Sequence, residues 1–161
     1  MLHTNLPNEK VTEHFWLHEF IHSDIAQRNK WNNDPPPHVL QTLKDFTIPR
    51  AEKIRKVLNS PMYITSGYRT TQVNRAVGGS ERPLSQHCLG LAFDFRCFKR
   101  STLLELAHHI VSIRARLPEW DQFILEYNWI HIGFGDRMRG EVLTIQPGMP
   151  TKHGLPSFLR Q

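Results

Sequence analysis

Cysteine is scarce in this chain and long apolar runs are missing. The 161 residues include two cysteines, Cys88 and Cys97, so a disulfide framework is excluded; reduced thiols are expected, with a single bridge as the alternative. No apolar run approaches the ~20 residues of a membrane span, and residues 1–10 lack the basic and apolar regions of a secretory signal. We therefore expect no membrane span, and synthesis and folding in a cytoplasm.

The composition that remains is that of an ordinary globular domain, with 39% hydrophobic and 22% charged residues. The chain is long enough for one core and contains no internal repeat. We predict a monomer with a single domain over residues 1–161, its core at 12–145 and a C-terminal tail at 146–161. The net charge of +5 favours an anionic partner such as nucleic acid, a membrane surface or an acidic cell-wall polymer, without choosing among them.

Apolar residues recur with helical spacing in four segments. Thr70 and Ser101 are predicted N-caps, and Pro49 is expected to kink or split the second helix. The predicted helices, with their caps, cover residues 11–22, 38–58, 70–77 and 101–117. The predicted strands cover residues 62–65, 91–95, 123–126, 129–134 and 141–145. Because helices cluster early and strands late, this order predicts an α+β fold rather than a parallel βαβ fold.

Residues 85–94, SQHCLGLAFD, carry the most informative pattern. His87 and Asp94 lie seven residues apart, and His131 follows far downstream. Catalytic zinc usually takes three protein ligands and leaves a fourth position for water, whereas structural zinc is closed by four ligands, mostly cysteines. Two histidines and one acid therefore predict an open zinc site and hydrolytic chemistry.

The two-residue period of a strand decides which side chains meet. Within 129–134, His131 shares a face with Gly133, while Ile130 and Ile132 point into the core. Asp94 and His131 are expected to face one cleft from neighbouring strands. His87 precedes Gly90 in a loop that a glycine turn can fold back over this face.

Several motifs in one order resemble the zinc D-alanyl-D-alanine carboxypeptidases and peptidoglycan endopeptidases, peptidase family M15, and most of all its small phage or prophage branch. The motifs are Ser66-Gly67-Tyr68-Arg69, Asn74-Arg75-Ala76-Val77-Gly78-Gly79, SxHxxGxAxD and Trp129-Ile130-His131. The resemblance spans residues 15–145. It implies a small, mostly antiparallel sheet with helices packed on one side, as in hedgehog and D-Ala-D-Ala peptidases, and zinc bound by His87, Asp94 and His131.

The resemblance also implies roles beyond the metal. Arg69 would bind a carboxylate or carbonyl of the substrate, a role that suits its planar fork of donors. Ser85 would hydrogen-bond near the same group. Trp129 is expected to shape the cleft wall, with core packing as the alternative.

In the family the general base is an acid shortly before the last histidine, and Glu126 is the candidate. It lies five residues before His131, and an odd separation in one strand would put the two on opposite faces. The assignment therefore requires a turn or bulge at Tyr127-Asn128. Asp121 is the reserve candidate.

A second metal pattern competes with the first. His18-Glu19-Phe20-Ile21-His22 matches HExxH, in which two histidines one helical turn apart bind zinc. Short patterns arise by chance, and we interpret this one as coincidence. Cys88 beside His87 is expected to pack in the core rather than bind metal.

The expected function is a zinc metallopeptidase that hydrolyses an amide bond in peptidoglycan stem peptides or cross-bridges, either as a D,D-carboxypeptidase or as an endolysin-type endopeptidase. Loops 79–84 and 135–140 are expected to select the bond. The enzyme would reach the wall through a holin-type pore or on a virion. One alternative is a non-catalytic, zinc-containing cell-wall-binding module. Nucleic acid is not expected as a partner, because the basic residues are scattered without a nucleic-acid motif.

Overall fold

The structure, a computed structural model, describes residues 4–97 and 102–158. Within these ranges six strands form one open sheet in the order β1-β2-β4-β3-β5-β6. Neighbouring strands run antiparallel except β3 and β5, which are parallel. The strands are β1 Met62–Ser66, β2 Ala92–Cys97, β3 Gln122–Leu125, β4 Ile130–Gly133, β5 Glu141–Thr144 and β6 Lys152–His153. The α+β prediction with a mostly antiparallel sheet is confirmed.

Short helices supply the rest of the regular structure. In the described ranges they are α1 Leu17–Ile21, α2 Asp24–Asn29, α3 Pro37–Thr42, a π-helical turn Leu43–Thr47, α4 Ile48–Leu58, α5 Thr71–Ala76, a 3-10 helix Gln86–Leu89, α6 Leu103–Ser112 and a 3-10 turn Arg114–Arg116. Apolar residues of α1, α4 and α6 pack with those of strands β1 to β4 in one core. No helix in the described part of the chain is long and apolar enough to cross a membrane.

The predicted helix over residues 11–22 is wrong for its first half. The helix begins only at Leu17, because tertiary contacts hold the preceding segment in a loop. Glu52 of α4 accepts hydrogen bonds from the Thr12 hydroxyl at 2.8 Å and from the backbone N–H of His14 at 3.1 Å. Apolar spacing does not reveal that a distant carboxylate binds the backbone and side chains of this segment.

The predicted helix over 38–58 is helical throughout but changes its winding. The π-helical turn precedes Pro49, and the Ile48 N–H bonds five residues back to the Leu43 carbonyl. Proline removes a backbone donor and crowds the preceding turn of a helix. The wider turn accommodates Pro49 and divides the helical segment into α3 and α4.

Two N-cap predictions have different outcomes. Thr70 caps α5 through its side chain, as predicted. The N-cap of α6 is Thr102, which forms a capping box with Glu105, rather than Ser101. Ser101 itself lies outside the described residues.

Strand β6, which no sequence pattern predicted, falls within the segment expected to be a tail.

Candidate metal centre

The central strand pair brings two of the expected ligands together. Strands β2 and β4 are antiparallel neighbours, and Asp94 lies directly opposite His131. Directly opposed residues project from the same face of a sheet. The next pair, Phe95 and Ile130, is fully buried on the core face. The register thus places Asp94 and His131 side by side on the other face, as the sequence predicted.

The 3-10 helix Gln86–Leu89 delivers the third residue, His87. The Ser85 hydroxyl accepts the His87 backbone N–H at 3.3 Å at the start of this helix. Gly90 ends it with φ of +67°, a conformation that side chains disfavour, and a Cβ there would lie 2.8 Å from Val39. These two ends turn the His87 side chain back over the sheet.

The three candidate donor atoms form a compact triangle. His131 Nδ1 lies 2.9 Å from Asp94 Oδ1 and 3.1 Å from His87 Nε2, and His87 Nε2 lies 3.2 Å from Asp94 Oδ1. Tetrahedral zinc with bonds of roughly 2.0–2.1 Å separates its donors by about 3.3 Å. The triangle therefore fits zinc after movements of a few tenths of an ångström.

The tautomer of His87 suits metal binding. Its Nδ1 lies 2.6 Å from the carbonyl oxygen of Gly67. A carbonyl only accepts hydrogen bonds, so Nδ1 carries the proton and donates it. The lone pair of Nε2 consequently points into the triangle. Such an outer hydrogen bond is the usual support of a metal-binding imidazole.

Burial and charge set the protonation of the cluster. Burial lowers the pKa of His87, which favours its neutral, ligating form. Burial alone would raise the pKa of Asp94, but the two imidazoles more than offset it, and the pKa lies well below its usual range. The site therefore presents an ionised carboxylate and a neutral imidazole, the forms that bind a divalent cation.

Arg69 lies against the same cluster, with only 15% of its side chain exposed. Its Nη2 donates to Asp94 Oδ2 at 2.7 Å and lies 3.3 Å from His87 Nε2, while its Nε donates to the Ser66 hydroxyl at 2.9 Å. The guanidinium thus holds the carboxylate oxygen that does not face the donor triangle. It orients Asp94, and its position beside the cleft is compatible with the predicted contact to substrate.

Glu126 reaches the site face through a tight hairpin. Its backbone N–H donates to the Trp129 carbonyl at 3.0 Å and closes a two-residue loop at Tyr127-Asn128. Ile124 pairs with His131, so Glu126, two residues further on, shares their face. The turn that the assignment of Glu126 requires is therefore present.

The environment of Glu126 suits a group that exchanges protons. Burial raises the pKa of its carboxyl, and the Asp94 carboxylate adds to the rise, while His131 and Arg69 oppose it. A carboxylate with a raised pKa is a better base near neutral pH.

Asp121, the reserve candidate, is engaged elsewhere. Arg139 donates from Nε to Asp121 Oδ1 at 2.8 Å and from Nη2 to Oδ2 at 2.9 Å. Gln86 donates to the same Oδ2 at 2.6 Å. Hydrogen bonds from Arg139 lower the pKa of Asp121 to about 2. A carboxylate this acidic and this fully bonded is a poor proton acceptor, so the geometry favours Glu126.

The remaining predicted residues lie close to the cluster. The Ser85 hydroxyl serves as the cap that positions His87, a use the sequence did not suggest. Trp129 pairs with Glu126 across the hairpin, and its half-buried side chain is close enough to the Glu126 carboxyl to oppose the rise in the pKa of that group. It therefore lies beside Glu126. The roles of both residues toward substrate stay predictions.

The HExxH pattern does not form a site. Helix α1 ends at Ile21, and His22 has an extended backbone beyond it. His18 Nε2 is bonded to the Leu6 carbonyl at 2.8 Å, and His22 Nε2 to Asp24 at 2.8 Å. Neither histidine belongs to the two groups of potential metal donors among residues 4–97 and 102–158.

The second of these groups was not predicted from the sequence. It consists of Glu13, His14 and Glu52. The ammonium of Lys56 lies 2.7 Å from Glu13 and 3.7 Å from Glu52, so a cation of the chain itself already pairs with both carboxylates. Its main contact, His14 Nδ1 to Glu52 at 2.7 Å, anchors the N-terminal loop to α4.

Two imidazoles and a carboxylate thus form one compact triangle on the sheet of an α+β fold, beside a half-buried glutamate, and could hold a metal ion. The Peptidase M15 family model matches residues 13–133, which is most of the chain and includes the whole triangle. The chain therefore belongs to the peptidase M15 family, and this membership supports a metallopeptidase. No curated protein matches it.

Proposed function

We propose that this protein is a zinc-dependent peptidase that hydrolyses an amide bond in the stem peptides or cross-bridges of peptidoglycan. The observation that carries the proposal is the triangle of His87, Asp94 and His131 with Glu126 on the same sheet face. Membership of the M15 family supports peptide hydrolysis. The finer proposal is that the protein acts on the cell wall as an endolysin or a virion component, or as a D,D-carboxypeptidase.

The donor triangle, Glu126 and Arg69 have separate roles in this proposal. A zinc ion in the triangle would supply Lewis-acid chemistry, polarising a carbonyl and lowering the pKa of water toward about 7. Glu126 takes a proton from the attacking water and passes it to the leaving nitrogen. Arg69 holds Asp94 and presents its remaining donors to the cleft, where they suit a substrate carboxylate.

The loops expected to select the bond carry exposed apolar side chains. Leu84 of loop 79–84 is 40% exposed, and Met138 of loop 135–140 is 38% exposed. Exposed apolar side chains on loops are suited to contact the methyl groups and aliphatic stems of a peptide. We propose that these two residues contribute to the choice of bond.

The experiment measures zinc content and digestion of purified peptidoglycan for the wild type and three variants, with mass spectrometry of the fragments. His87→Ala removes one donor and is expected to lose both zinc and activity. Glu126→Gln is expected to keep zinc but lower kcat roughly 10²- to 10⁴-fold, because it removes only the base. His18→Ala, in the HExxH pattern, is the control and is expected to behave as wild type.

Two results would contradict the proposal. Loss of zinc in His18→Ala together with its retention in His87→Ala would move the metal to the other pattern. Zinc binding and wall binding without any hydrolysis by the wild type would favour the non-catalytic wall-binding module. The bond cut, read from the fragment masses, separates carboxypeptidase from endopeptidase activity.

A further inference from the structure

The side chain of Gln86, the residue just before His87, links the metal cluster to the ion pair of Asp121 and Arg139. Its Nε2 donates to Asp121 Oδ2 at 2.6 Å. The Asp121 carboxyl, with a pKa of about 2, is ionised and only accepts hydrogen bonds. The NH₂ end of the Gln86 amide is therefore fixed toward Asp121, and the carbonyl end must point the other way.

That carbonyl oxygen is buried and has no hydrogen-bond partner among the described residues. It lies over Gly133 of β4, two residues after His131. A Cβ on Gly133 would lie 1.8 Å from Gln86 Oε1 and 3.2 Å from His131 Nε2, so these two atoms are close neighbours. Leaving a buried acceptor without a donor is costly, which makes an unused oxygen here unexpected.

The backbone below Gln86 leaves room for its amide. A Cβ on Gly135 would lie 2.3 Å from Gln86 Nε2, and one on Gly133 would overlap the carbonyl oxygen. Any larger residue at either position would displace the amide. Two glycines, one at the end of β4 and one two residues beyond it, thus admit a polar side chain against the sheet.

His131 supplies the missing donor when its other nitrogen binds metal. Nδ1 faces Asp94 and His87 in the donor triangle, so Nε2 must carry the ring proton of the ligating form. Metal-binding histidines almost always donate this second N–H to an acceptor. Gln86 Oε1 is the neighbouring buried acceptor that has no donor. Gln86 Oε1 and His131 Nε2 do not yet meet the geometry of a hydrogen bond in this structure.

On the basis of the proposed zinc site, we infer that Gln86 is a positioning residue for His131. Its carbonyl accepts the Nε2–H and so leaves the Nδ1 lone pair for the metal. Asp121 fixes the Gln86 amide, and Arg139 fixes Asp121 with three hydrogen bonds, from its backbone N–H, Nε and Nη2. Gln86 touches no substrate in this role and acts through His131.

The test compares Gln86→Leu with Gln41→Leu. Gln41 is a matched control, because its amide also donates to a carboxylate, that of Asp45, while both residues are exposed on the helical segment after Pro37. Zinc affinity is measured by competition with a chromogenic chelator. Gln86→Leu is expected to weaken zinc binding roughly 10- to 100-fold, the usual effect of removing an outer partner of a ligand. Gln41→Leu is expected to leave the affinity unchanged.

A second readout separates positioning from general stability. In zinc-loaded wild type labelled with ¹⁵N, the imidazole spectrum of His131 is expected to show the Nε2–H tautomer with slow exchange of that proton, and faster exchange in Gln86→Leu. Circular dichroism checks that the variants fold. Gln86→Met keeps the length of the side chain without its carbonyl, and replaces Gln86→Leu if that variant is unfolded.

Equal zinc affinity in wild type and in the folded Gln86 variant would overturn the inference, as would a His131 proton on Nδ1 in the loaded protein. Zinc binding by a wild type that cleaves no peptidoglycan would overturn the proposed function and leave this inference standing. A wild type without zinc affinity would overturn both.

Discussion

Two acids near the cleft, Glu126 and Asp121, show how surroundings decide the chemistry of a carboxyl group. Both were candidates for the base. Burial and the Asp94 carboxylate raise the pKa of Glu126, while hydrogen bonds from Arg139 lower that of Asp121. Spacing together with the family resemblance predicted the triangle and Glu126, because strand period and motifs can be read along the chain. It did not predict Gln86 or Arg139, since their roles depend on contacts with Asp121 across 35 and 18 positions.

Asp121→Asn is expected to reduce stability in a pH-dependent way. The carboxyl has a pKa of about 2 in the folded state against 3.8 for the free group, so its stabilisation is fully present above about pH 4 and is lost as the pH falls through 2. The difference corresponds to about 2 kcal/mol at pH 7 and to about half of that at pH 3. Urea unfolding of both proteins at the two pH values measures it. A loss of equal size at pH 7 and pH 3 would assign the effect to packing instead.

At the scale of elements, strands followed the sequence more closely than helices did. The five predicted strands each overlap an observed one, because short apolar runs between turn residues mark strands along the chain itself. The helix over 11–22 failed because Glu52 holds part of it in a loop, and the π-helical turn before Pro49 has no signature in apolar spacing. Strand β6 is only two residues long and carries no periodic pattern.

The π-helical turn also supports the loop of the metal cluster. Thr47, fully buried at its end, donates its hydroxyl to the Gly90 carbonyl at 2.5 Å. Thr47→Val is expected to lower the free energy of unfolding by about 1–3 kcal/mol, because it leaves that carbonyl unsatisfied. Thr42→Val is the matched control: its hydroxyl bonds within the helix to His38, and about 0.5 kcal/mol or less is expected. Chemical denaturation measures both, and equal losses would contradict the proposed support.

At the scale of the whole molecule, the family match ends before the sheet does. The match stops at residue 133, but β5 pairs with β3 beyond it and brings Glu141 to within 3.1 Å of Arg139. Residues after the match therefore complete the sheet and the charge network around Asp121. The sequence predicted a strand over 141–145, whereas its parallel pairing with β3 and the contact of Glu141 with Arg139 became visible only in three dimensions.

Zinc binding is expected to stabilise the entire fold, because the triangle exists only when the two central strands are paired. At free zinc of about 100 times Kd the gain is about 2.7 kcal/mol, or roughly 5–10 °C in Tm for a chain of this size. Thermal melts with zinc and with a chelator measure the shift. His131→Ala is expected to show no shift and His18→Ala the full one; a zinc-dependent shift that survives in His131→Ala would place the bound ion elsewhere.

The three residues of the triangle lie in parts of the chain that we expect to open at different rates. Asp94 and His131 lie on strands with a paired neighbour on each side, so their backbone amides are expected to exchange only when the molecule unfolds globally. His87 lies on a four-residue 3-10 helix held at its ends by Ser85 and Gly90. A bound ion would therefore leave by releasing His87 first, and its residence time would follow the local opening of that short helix rather than the lifetime of the fold.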